Sequence, residues 1–254
     1  ENIDFKGKAI TLISENGPEN CILDGESTRR IINFESGEDE NTLLYGFTLK
    51  NGGGGHNKGG GIFIDASSPT IRNCIIENNS AGKFGGGIYL DNSSTIIDSC
   101  IIRNNISERG GGLSIKDGAP IITNCRIENN ISEEEGGGIY YENSDEDHEL
   151  SLEGCVLGSN TSQYRGGGLY IEVGFPQLIL CTFENNIASE GGAVYISGNV
   201  QTSTTDTPTT NEDTTNDEWE LISFHAIPEG VKYMPMGPVT MMRNQLQLRG
   251  GTKA

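Results

Sequence analysis

Glycine runs return along this chain with a fixed period. Gly59, Gly85, Gly110, Gly136, Gly166 and Gly191 each open a run of two or three glycines, at intervals of 26, 25, 26, 30 and 25 residues. The cysteines keep step at Cys74, Cys100, Cys125, Cys155 and Cys181. A period of this length marks a repeat architecture, in which each unit buries its apolar face only against the next. Within one unit, Gly85-Gly86-Gly87-Ile88-Tyr89-Leu90 leads through Asn92-Ser93-Ser94 to Thr95-Ile96-Ile97, and closes as Cys100-Ile101-Ile102-Arg103-Asn104-Asn105. These are three short apolar or alternating runs separated by turn residues, and no run has the length or period of a helix. Three strands per unit, repeated by stacking, describe an all-β solenoid: a parallel β-helix of about seven coils of 25–30 residues.

The composition fits this shape. A hydrophobic share of 34% is low for a globule, but a solenoid coil needs only a narrow inward file of apolar side chains. The 36 glycines fall periodically at turns, so they do not signal disorder. A net charge of −19 argues against nucleic acid or an anionic membrane as partner, since both call for basic patches. No run of 18 apolar residues exists, so membrane insertion is not expected.

The solenoid is expected to occupy residues 1–197. Its first coil runs from Ile3-Asp4-Phe5 to Cys21-Ile22-Leu23, and Phe47 stands where later coils carry cysteine. The chain opens directly in strand pattern, which suggests a trimmed form with an upstream coil missing. Cysteines at one position per coil stack with parallel side chains, a poor geometry for a disulfide, and are expected as packed free thiols. Residues 198–218 are rich in Thr, Asn and Asp and read as a linker. Residues 219–254, with the only Trp and all four Met, read as a cap or tail. A lengthened loop at Asn143 to Glu149 is acidic and could hold Ca²⁺, but its ligand spacing is not that of a known calcium loop, so it is expected to be solvated, with Ca²⁺ as the alternative. No other cofactor or metal is expected.

Asn79, Asn105, Asn130 and Asn186 close an apolar-x-x-Asn signature, as in Phe183-Glu184-Asn185-Asn186. With Gly191-Gly192-Ala193-Val194 this resembles the paired repeat motifs of the chlamydial polymorphic membrane proteins, and more broadly the pectin-lyase-like right-handed β-helix superfamily. The resemblance covers about residues 3–197; only the last coil matches both motifs literally. It implies a right-handed helix from a secreted or cell-surface protein, with adhesion typical of one branch and polysaccharide cleavage of another. The polygalacturonase motifs are absent, and no basic residue stands in an acidic cluster as a lyase would need. The asparagines themselves are expected to stack as a ladder, which would hide the sequons at Asn105, Asn130 and Asn160.

Alternation decides which side chains of the first strand leave the core. With Ile62 and Ile64 inward, the outward column is Phe63, Tyr89, Ser114, Tyr140, Tyr170 and Tyr195, beside Asp65, Asp91, Lys116, Glu142, Glu172 and Ser197. Aromatic faces spaced along a rod and rimmed by carboxylates suit a sugar chain, so Phe63, Tyr89, Tyr140, Tyr170 and Tyr195 are the candidate ligand-binding residues. The competing reading is that these rings stabilise the sheet. Glu142 and Glu172, on adjacent coils, are the weak candidates for a glycosidase pair, while Lys116 beside Glu142 reads as a salt ladder. His56, His148 and His225 are isolated, without metal or triad spacing. The expected function is therefore a non-enzymatic scaffold for adhesion or carbohydrate binding, with a polysaccharide or surface glycan as partner. The alternatives are a polysaccharide lyase or glycoside hydrolase, and a structural spacer.

Overall fold

A computed structural model describes residues 2–53, 55–144 and 149–197. The expected linker, the expected tail and residues 145–148 of the acidic loop lie outside the described residues.

Every described strand pairs in parallel with its counterpart one coil away. The first sheet has eight strands, from Ile3–Asp4 through Ile62–Asp65, Ile88–Asp91, Leu113–Lys116, Ile139–Glu142 and Leu169–Val173 to Val194–Ile196. The second and third sheets have seven strands each, and no helix occurs among the described residues. The result is an all-β solenoid of about seven turns.

The core is built from like stacked on like. Ile62, Ile88, Leu113, Ile139 and Leu169 line up from the first sheet, Ile71, Ile97, Ile122 and Leu152 from the second, and Ile76, Ile102, Ile127 and Leu157 from the third, all fully buried. Each such side chain contributes about 1.5–3 kcal/mol of burial, which a coil gains only once its neighbours are in place. Cys74, Cys100, Cys125, Cys155 and Cys181 are buried free thiols ahead of the third sheet, at the position Phe47 holds in the second coil. Burial, reinforced by neighbouring thiols, raises the pKa of Cys100 and keeps it a packing group.

The glycine runs mark where coils come closest. Gly110 has φ +65°, and a Cβ on Gly112 would lie 2.7 Å from the Gly138 carbonyl and 3.0 Å from the Asn130 amide nitrogen. Behind them runs the asparagine ladder. The Asn105 main-chain N–H and side-chain amide both donate to Asn130 Oδ1 at 3.0 Å, and Asn130 does the same to Asn160. The second amide hydrogen of Asn130 reaches the Ile102 carbonyl at 2.9 Å. Asn105, Asn130 and Asn160 are at most 1% exposed, so the sequons are closed to modification in the folded chain.

A fourth sheet was not foreseen. Ile106–Arg109, Ile131–Glu135 and Thr161–Ser162 pair beside the turn between the asparagines and the glycines. It carries a column through the residue preceding each glycine run: Lys58, Phe84, Arg109, Glu135, Arg165 and Glu190. That column lies against the outer face of the first sheet.

Candidate functional site

The outward column of the first sheet is in the expected register. Phe63 pairs with Tyr89, Tyr89 with Ser114, Ser114 with Tyr140, Tyr140 with Tyr170, and Tyr170 with Tyr195. The rings turn their faces along the rod. Phe63 stacks on Tyr89 at 5.7 Å between centroids, Tyr140 on Tyr170 at 5.5 Å, and Tyr170 on Tyr195 at 5.6 Å, with planes within 13° of parallel. Tyr89 and Tyr140 are 1% exposed and Tyr170 5%, whereas Phe63 and Tyr195 are half-buried. The open platform expected from alternation therefore needs correcting. Alternation decides the side of the sheet; ring faces one strand spacing apart satisfy each other, and neighbours cover the edges.

The cover is largely cationic. Arg30 lies 4.3 Å from the Phe63 centroid, Lys58 4.5 Å from that of Tyr89, Arg109 5.7 Å from that of Tyr140, and Arg165 5.1 Å from that of Tyr195. Partial burial opposes the charge on Arg109, but Glu135 and Glu134, at 3.0 and 2.8 Å, outweigh it and raise its pKa. Lys58 also pairs with Asp91 at 3.6 Å.

The carboxylates serve the tyrosines. The Tyr89 hydroxyl donates to Asp91 Oδ2 at 2.8 Å; burial first, then this bond, raises the phenol pKa. Glu142 and Glu172 do converge, but on a protein group: both accept from the Tyr140 hydroxyl, Glu142 at 3.4 Å. Glu172 is not opposite Glu142 as alternation suggested. The register shifts and Val173 takes that place, because Leu169–Val173 has one residue more than its neighbour strand and ends at Gly174, with φ +106°. Nor does Lys116 form the expected salt ladder. It sits between Asp91 and Glu142 in register, yet it makes no ion pair among the described residues.

A family model for the right handed beta helix region matches residues 19–205. The chain belongs to the right-handed β-helix family. Comparison with curated proteins and with solved structures returned no match.

One residue that matters in this β-helix had no signal in the repeats. Where Ser114 leaves a gap among the rings, Phe84 leans in from the pre-glycine column, 6.2 Å from the Tyr89 centroid and 6.0 Å from that of Tyr140. Its planes are tilted by 51° and 56°, unlike the parallel pairs of the ladder. Arg109 closes over it at 5.9 Å.

Proposed function

We propose that this β-helix is a non-enzymatic scaffold of a secreted or cell-surface protein, used for adhesion, with a polysaccharide or surface glycan as its partner. One observation carries the reading. In the first sheet a tyrosine precedes a carboxylate by two residues, hydroxyl bonded to carboxylate, at Tyr89 with Asp91 and again at Tyr140 with Glu142. A linear array of such pairs, in register along a rod, suits a polymer with a repeating unit. Sugar hydroxyls would meet the carboxylates, and sugar faces the half-buried rings of Phe63 and Tyr195. The resemblance of the repeats to chlamydial polymorphic membrane proteins supports the surface location. Against catalysis by Glu142 and Glu172 stands their shared engagement by one buried tyrosine hydroxyl.

The test is a polysaccharide panel read twice, once for retention on the immobilised polymer and once for chain cleavage. Retention without cleavage is the expected result. Cleavage would replace this reading with the enzyme, and neither retention nor cleavage would leave a structural spacer.

A further inference from the structure

The described residues contain two buried side-chain oxygens without a hydrogen-bond partner, on Ser114 and Ser132. Ser132 belongs to a serine column of the fourth sheet, between Ser107 and Ser162, whose hydroxyls bond main-chain carbonyls. Ser114 is different. It is 1% exposed, sits in the aromatic column, and has an apolar ring leaning over it.

We propose that the Ser114 position is a latent slot for one hexopyranose ring, sandwiched between Tyr89 and Tyr140, which Phe84 fills until the sugar displaces it. This rests on the carbohydrate-binding reading above and names the place and the unit recognised. The dimensions come from the ladder. Tyr89 and Tyr140 are two strands apart, about 9.6 Å at one strand spacing each, which leaves room for one ring between them.

The chemistry comes from what Phe84 lacks. Its ring supplies contact to both tyrosines but leaves the Ser114 hydroxyl unpaired, which is costly for a buried polar group. On the same side of that strand, Lys116 has no ion-pair partner among the described residues, and Asp91 and Glu142 flank it in register. A ligand that improves on Phe84 must keep two apolar faces and add hydroxyls at its edge. A pyranose has both: C–H faces for the rings, and hydroxyls for Ser114, Lys116 and the carboxylates. The tilted packing of Phe84 and its partial exposure allow it to leave, as a minor conformation that a ligand makes dominant.

The experiment titrates methyl glucopyranoside, galactopyranoside and mannopyranoside into the whole chain by calorimetry or NMR, with three variants. Phe84→Ala removes the competitor and should tighten binding about tenfold. Ser114→Ala should weaken it about tenfold, through loss of the one buried hydroxyl. Ser114→Tyr places a sixth ring in the ladder and should abolish binding while raising the melting temperature; if it fails to fold, Ser114→Ala reads the same site. Binding by Ser114→Tyr at the parent's strength overturns the slot and leaves glycan binding elsewhere on the rod standing. No binding of any hexoside by Phe84→Ala overturns the slot, and a blank polysaccharide panel alongside it overturns the carbohydrate reading as well.

Discussion

Two ladders run along this rod from its third coil onward, one inside and one outside, and they tolerate interruption differently. Inside, asparagine follows asparagine from Asn79 to Asn186 without a break, each side chain bonded to a neighbouring asparagine and to a main-chain carbonyl. Outside, the aromatic column breaks at Ser114 and a ring from another column fills in. Within that run an amide missing from one coil strands main-chain donors in a dry turn; only at the start of the column does Gly52 take the place, its N–H donating to Asn79 Oδ1 at 2.7 Å. The outer position asks only for apolar contact, which any ring within reach can supply. Directional bonding makes a column obligatory in sequence, and non-directional packing makes it negotiable.

The largest expected effect is steric and lies on the inner side. Gly112→Ala puts a Cβ 2.7 Å from the Gly138 carbonyl and 3.0 Å from the Asn130 amide nitrogen, so two coils must part. A loss of about 3 kcal/mol or more is expected from overpacking, measured by denaturant unfolding. A near-neutral result would mean that coil spacing is soft and the inner ladder replaceable. Asn130→Ala comes next. It strands the Asn105 N–H and side-chain amide together with the Ile102 carbonyl, and should cost ~2–4 kcal/mol. Hydrogen exchange should localise the loss to the coils on either side.

The inner ladder has no titrating group, whereas the outer one has phenols. Tyr89 has its pKa raised by burial and by its bond to Asp91. A group whose folded pKa lies above its unfolded value stabilises fully below the unfolded value, about 10 for tyrosine, and loses that contribution as pH rises toward the folded one. The parent should therefore lose stability from about pH 10 upward. Tyr89→Phe starts lower at pH 8, by about 1 kcal/mol for the lost hydrogen bond, and the gap should close by pH 11. A gap that stays constant would show that Tyr89 titrates alike in both states.

Much of this contrast could be read in the residues beforehand. Gly112 and Asn130 recur at fixed spacing because close backbone approach favours glycine and amide bonding favours asparagine, and strand alternation then sets the register of Ile62, Phe63 and Ile64. Phe84 could not be read. Its column runs Lys58, Phe84, Arg109, Glu135, Arg165, Glu190, with no repeat to flag it, and its partner Tyr140 lies 56 residues away. Ring orientation was equally hidden, since alternation places Tyr140 on a face of the sheet but says nothing of its tilt or of Arg109 above it. The extra residue that carries Glu172 out of line depends on a bulge ending at Gly174, one glycine among 36.

The smallest expected effect tests whether the outer ladder is a sum of modest parts. Lys58 covers Tyr89 at 4.5 Å and pairs with Asp91 at 3.6 Å, with its own side chain 41% exposed. Half in water, that pair contributes little, and the cation over the ring adds ~0.5–1 kcal/mol. Lys58→Met keeps the aliphatic cover and removes the charge, so it should cost about 0.5–1 kcal/mol in low salt. At 1 M salt, where the Debye length falls to about 3 Å, the ionic part should fade and the cost should roughly halve. A loss above 2 kcal/mol would place the lysine in the same class as the asparagines and erase the distinction between the ladders. A loss within this range leaves the outer column held by many weak contacts, any one of which can be exchanged, as Phe84 stands in for the ring missing at Ser114.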